Sequence, residues 1–247
     1  MINTNTAQLL FSFTIFIISY FFTVNLNGIV QAFVANKLGD STAKDTGYMK
    51  FDPLLYLSSL NFIFMLIFGI ALPTSIPINL SSKIGTKYKL FIFYATPFIS
   101  SILFSAIALS LSTLLYGAYL SELFLVKILT SQDISLRWAH HAMNGGSSFN
   151  IVCLFLLTSF ICFNVFIAFY SFIVNIFKYI FALKDTNSRF GQVSNYSEYQ
   201  DLLMIFAPLL LMILFGSALR VFILQIIILC SYKLSSIIVL IRSLLGV

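Results

Sequence analysis

This chain has little charge, few histidines and no closely spaced cysteine pair, and each shortage removes a class of function. Only 9% of its 247 residues are Asp, Glu, Lys or Arg, against about 25% in soluble domains, too few to cover a water-facing surface. Its two histidines, His140 and His141, are adjacent. Neighbours on a helix point about 100° apart, so they cannot supply the i, i+4 pair that converges on one metal ion, and they read as loop residues. Cys153, Cys162 and Cys230 lie in apolar runs with no C-x-x-C pair, which argues against a zinc site or a disulfide framework and for small buried hydrophobes. Met1 to Gln8 carry no charged side chain, so the basic start of a secretory signal is lacking. The apolar run that follows is also too long for such a signal and reads as a retained membrane helix.

What the chain does have is hydrophobic residues, 60% of the total, with a mean hydropathy of +0.99. A membrane span takes about 20 apolar residues. The expected fold is therefore an all-α polytopic membrane protein, a bundle of about five to six transmembrane helices. These make one integral membrane domain over residues 1–247, with no room for a separate soluble domain. The formal charge is +6, from 14 Lys and Arg against 8 Asp and Glu. The basic residues are scattered singly through the loops, the pattern of cytoplasmic-loop bias rather than the basic stripe of a nucleic-acid binder. The lipid bilayer is the expected partner, and no nucleic acid is.

The first segment runs from Leu9 to Leu38. Leu9 to Val24 is apolar apart from Ser and Thr, whereas the second half admits Asn25, Asn27, Gly28 and Gln31 before Gly39, a terminating glycine in the expected place. A polar connection, Asp40 to Asp52, leads to a second span predicted from Pro53 to about Leu72, broken by Pro73 and Pro77. The basic stretch Ser81 to Lys89 follows. It falls on the N-terminal side of the membrane if the first two segments both cross. A third segment, Leu90 to about Leu115, carries Thr96-Pro97 as an interruption. Ser121 to Leu129 has a helix-start pattern and reads as an amphipathic interfacial helix. Asp133 to Gly146 reads as an exposed loop, with Trp138 in an interfacial aromatic belt. Phe149 to Leu183 is a long apolar segment, Lys184 to Asn195 a polar loop, and Asp201 to Leu219 and Val221 to Ile241 are two closing spans.

Four fragments between Asn27 and about Ser105 form an ordered set. They are Asn27-x3-Gln31-Ala32-x2-Ala35-x2-Leu38-Gly39-Asp40, Asp52-Pro53-Leu54-x-Tyr56-Leu57-Ser58, Gly69-x-Ala71-x-Pro73 with Pro77-Ile78-Asn79, and Ala95-Thr96-Pro97-x2-Ser100. Their order and spacing resemble the site-2 protease family, the intramembrane zinc metallopeptidases. In that family the first fragment is the zinc helix, His-Glu-x-x-His, followed by a Leu-Gly-Asp turn. The others correspond to Asn-Pro-Leu-x-His-Ile-Asp, Gly-x-Ala-x-Pro-Val-Pro-x-Asn and Ala-Gly-Pro-x2-Asn. A fainter likeness over Phe163 to Ile180 sets Lys178-Tyr179-Ile180 where the family has Leu-Asp-Gly, whose Asp is the third zinc ligand. The prolines that unwind that helix in the family are missing, so the helix is expected to continue. The resemblance implies a protease-like core over about residues 9–183, with C-terminal helices over about 201–247.

It also implies that the chemistry is gone. In His-Glu-x-x-His two imidazoles share one zinc and the Glu is general base. Here Asn27, Gly28, Gln31 and Tyr179 stand at the positions of His, Glu, His and Asp. Neutral amides are poor partners for zinc, which takes thiolate, imidazole or carboxylate, and glycine has no base. Zinc is expected in active relatives; no catalytic residue, metal or cofactor is expected here. The same residues have a plainer reading, in which Asn25, Asn27 and Gln31 tie helices together by hydrogen bonds and Gly28 allows close approach. Both readings fit a pseudoprotease of a bacterial cytoplasmic (inner) membrane that binds or scaffolds transmembrane helices of other proteins. The alternatives are an active intramembrane zinc metalloprotease with unusual ligands, and a structural or assembly subunit of a membrane complex.

Overall fold

The computed structural model describes residues 4–57, 59–68, 76–78, 86–130, 136–143 and 147–187, with single positions between 221 and 236. Its regular structure is helical, with no strand among the described residues. The continuous helices among the described residues are α1 (Thr4–Leu38), α2 (Thr42–Asp45), α3 (Ser59–Phe68), α4 (Lys87–Tyr116), α5 (Ala118–Leu129), α6 (Leu136–Ala142) and α7 (Ser148–Asn187).

Among the described residues three helices are long and apolar enough to cross a membrane: Leu10–Leu38, Lys87–Tyr116 and Ser148–Ile180, of 29, 30 and 33 residues. At about 1.5 Å per residue each exceeds a hydrocarbon core of about 30 Å, as an integral membrane protein requires. They match the predicted first and third segments and the one from Phe149. The predicted second span is represented by α3 alone, ten residues or about 15 Å; residues 69–72 lie outside the described residues. So do the closing spans, 201–219 and 221–241, apart from isolated positions.

The ends of these helices follow from local chemistry. Gly39 has φ of 106°, open to glycine at no steric cost. Its N–H donates to Asn36 O at 3.1 Å and that of Asp40 to Ala35 O at 3.1 Å, the paired bonds of a Schellman motif. Thr96-Pro97 does not interrupt α4, contrary to the sequence expectation. The helix runs on through Pro97, as membrane helices allow, and the hydroxyl of Thr96 donates to Ile92 O at 2.7 Å. α7 continues through Lys178-Tyr179-Ile180 as expected, and on to Asn187, so the start of the predicted polar loop at Lys184 is helical.

The chain divides into two compact units, through both of which α1, α4 and α7 pass. One comprises residues 1–22, 103–165 and 217–247, the other residues 23–102 and 166–216. In the first, Ile15, Phe124, Ala139, Ile151, Leu154 and Phe155 form a buried cluster. Helix α5 starts at Ala118, three residues before the predicted start. Ser121 is no cap; its hydroxyl donates to Gly117 O at 2.9 Å and lies 2.6 Å from Ser112 Oγ. Ser121, Phe124, Leu125 and Leu129 are the buried face of α5, so its apolar side is covered by protein.

The predicted exposed loop around Trp138 contains α6 instead. Ala139 is buried there, and the indole of Trp138 packs on Phe124 (centroids 5.1 Å apart) with Lys127 Nζ 4.1 Å from its ring centre. His141 is exposed. Because Trp138 is the sole tryptophan, Lys127→Met is expected to shift the emission maximum. It should also lower stability by about 0.5–1 kcal/mol, the worth of an exposed cation–π contact. An unchanged spectrum and midpoint of unfolding would remove that contact from the account.

In the second unit the helix directions are set by side-chain pairs. Asn27 meets Ser100 and Leu38 O meets Lys89 Nζ at 2.9 Å, so α1 and α4 are antiparallel. Asn175 donates to Tyr94 O at 2.9 Å, Phe98 packs on Phe172 and Phe91 on Tyr179, so α4 and α7 are antiparallel too. The end of α1, the start of α4 and the end of α7 therefore lie together. The lysine-bearing approach to α4 thus ends where α1 stops, not on the side of its N-terminus, which corrects the placement drawn from two full crossings.

Candidate functional site: a buried amide between two helices

The second half of α1 carries its polar residues inward. Thr23 and Asn25 are fully buried, Asn27 is 3% exposed and Gln31 8% exposed. Thr23, Asn27 and Gln31 recur every four residues, so they share a face. The Asn27 amide is held on both sides. Its Nδ2 donates to Thr23 O at 3.0 Å, and its Oδ1 accepts from Ser100 Oγ at 2.6 Å and Ser101 Oγ at 2.9 Å, both on α4. An amide oxygen has two lone pairs, and the two hydroxyls take both.

Gly28 faces Tyr56. A methyl group added at Gly28 would collide with the edge of the Tyr56 ring, so the missing side chain is what lets the tyrosine in. The turn before Tyr56 explains its position. Asp52 Oδ1 accepts from Leu54 N at 3.0 Å and Asp52 O from Leu55 N at 3.2 Å, an Asx turn with Pro53 pre-set at its corner. Tyr56 is 1% exposed, packs edge-on against Tyr48 at 5.4 Å and donates its hydroxyl to Tyr48 O. Burial, then the neighbouring Tyr48 and Asp52, push its phenol well above the usual tyrosine range. It stays a neutral donor throughout the physiological pH range.

Residues from three of the four ordered fragments thus meet: Asn27 and Gly28 from the first, Tyr56 from the second and Ser100 from the last. The remaining fragment lies outside the described residues except for Pro77 and Ile78. Tyr179 is half-buried, with its ring 5.8 Å from that of Phe91. Phe91 precedes Ser100 on α4 by about 13 Å of helix rise. The Phe98–Phe172 contact instead brings Tyr170 and Ser171 close to the level of Ser100. Both are buried, and Ser171 Oγ has no hydrogen-bond partner among the described residues. Ser101, Thr23 and Ser171 were not singled out by sequence. Only a serine repeated beside Ser100 offered a signal for Ser101.

The site does not fit a zinc ion. The Asn27 oxygen that would face it is saturated, the ring of Tyr56 lies against Gly28, and the local donors are amides, hydroxyls and a neutral phenol, not the thiolates, imidazoles and carboxylates that zinc takes. No group of three His, Cys, Asp or Glu able to hold a metal occurs among the described residues. What the arrangement can do chemically is bind two helices and a turn together. Comparison with protein-family models, with curated proteins and with solved structures finds no match in any of the three.

Proposed function

We propose that this chain is a non-catalytic membrane protein with a site-2 protease-like frame, a pseudoprotease that binds or scaffolds transmembrane helices of partner proteins in a bacterial-type cytoplasmic membrane. The observation that carries the reading is the Asn27 amide, whose oxygen is taken by Ser100 and Ser101. A position that would serve a metal in an active relative serves packing here. The meeting of Asn27, Gly28, Tyr56 and Ser100 supports the protease-like frame, since these residues come from separated fragments.

A place for partner helices is offered by α4. Ile99, Leu103, Ile107, Leu111 and Leu114 form an exposed apolar stripe along it at three- to four-residue spacing, interspersed with Ala106 and Ser110, the small residues that let membrane helices approach closely. The test is photo-crosslinking in membranes from a reactive amino acid at Ile107. The reading predicts discrete protein adducts, absent when the probe replaces Leu109 on the buried face. Adducts to lipid alone from Ile107 would contradict it. One fixed-stoichiometry adduct would favour the assembly-subunit alternative, and chelator-sensitive cleavage of a membrane substrate would favour the protease alternative.

A further inference from the structure

We infer that the end of the bundle where α1 and α7 stop and α4 begins is the cytosolic face, seated among anionic phospholipid headgroups, and that α1 starts on the opposite side. The contacts of Leu38 O with Lys89, Asn27 with Ser100 and Tyr94 O with Asn175 put these three helix ends at one face. Residues 40–57, which follow α1 at that face, are turns and the short α2.

These helix directions gather most of the lysines of the described helices and turns at one end. Lys37, Lys44, Lys50, Lys87, Lys89 and Lys178 all belong to the shared end, whereas the connection between α4 and α7 brings Lys127 and Arg137. Lysine and arginine near span ends mark the cytoplasmic side, and acidic residues count little. The side chains are built for an interface. Lys37, Lys44, Lys50 and Lys87 are exposed, as are Phe33, Phe51 and Tyr88. Lys37 Nζ lies 5.4 Å from the Phe33 ring centre. Aromatic rings at headgroup level with lysines reaching past them are the usual dress of a span's end, and the cytosolic leaflet is the anionic one.

The test is labelling of full-length protein in intact bacterial cells with a membrane-impermeant maleimide, after Cys153, Cys162 and Cys230 are changed to Ala. Thr130→Cys and Ser147→Cys, between α4 and α7, are expected to react at once, and Thr46→Cys only after the membrane is permeabilised. Immediate reaction of Thr46→Cys overturns the proposal, as does failure of both other positions to react. Adding Lys44→Gln, Lys50→Gln and Lys87→Gln is expected to give a mixed population in which some Thr46→Cys is labelled in intact cells. An unchanged single orientation in that variant would overturn the role assigned to the lysines.

Discussion

Replacing Asn27 by Leu is expected to lower stability in detergent by about 1–3 kcal/mol, a sum of two contributions. Each interhelical hydrogen bond lost in a membrane protein is worth about 0.6 kcal/mol on average and at most about 1.7, and Asn27 accepts from Ser100 and Ser101. The buried hydroxyls left behind add a desolvation penalty of about 1 kcal/mol or more where they find no new acceptor. Ser100 has Pro97 O within reach, which limits its share. Removing both sides of a polar contact costs less than removing one, so Asn27→Leu combined with Ser100→Ala and Ser101→Ala should be more stable than the sum of the separate changes predicts. The readout is the midpoint of unfolding by heat or by a denaturing detergent. Strict additivity would mean that the amide and the hydroxyls do not interact.

The second large effect is at Gly28. Valine there would collide with the Tyr56 ring, and Tyr56 cannot simply swing aside because its hydroxyl is tied to Tyr48 O and its ring is enclosed. Overpacking of this kind costs about 1–3 kcal/mol. A glycine to β-branched change in an unhindered helix would cost little, since glycine is itself a poor helix former. Tyr56→Ala alone is also destabilising, because it empties a buried site. Gly28→Val with Tyr56→Ala should recover part of the loss, a coupling of about 0.5–3 kcal/mol in a double-mutant cycle. If Gly28→Val proved neutral, the close approach would be wrong, and with it the convergence of the first two fragments.

Much of this fold is legible in sequence for simple reasons. The long helices α1, α4 and α7 announce themselves because apolar residues in bulk have one destination, and Gly39 stops α1 because glycine alone adopts its backbone conformation freely. Elements whose signal depends on neighbours are not legible. Ser121 has the sequence look of a helix start, yet its hydroxyl serves a carbonyl one turn back. Helix α6 is seven residues long, too short to show a period, and exists through Trp138 packing on Phe124. Pro97 looks like a break, yet α4 continues through it, since proline is tolerated in membrane helices.

The candidate site is split in the same way. Asn27 stands out as a polar residue in an apolar helix, and its role as a tie between helices is one of the readings open from sequence. That its partners are Ser100 and Ser101 depends on the rotation of α4, which serines in a membrane helix do not reveal. Gly28 reads as a place of close approach, but the approaching group is Tyr56 from a turn, not another helix. Their contact is created only when α1 and the turn fold together. Tyr179 gains its place from an alignment to a motif that is itself faint, and its ring contact is with Phe91.

Asn27 and its neighbours form a packing centre whose donors do not suit zinc. The most direct test is metal content by mass spectrometry on protein purified in detergent without added chelator. The account predicts no zinc above background, unchanged in Asn27→Leu. One zinc per chain, lost on changing Asn27 or Gln31, would contradict it and make the chain a metalloenzyme with unusual ligands.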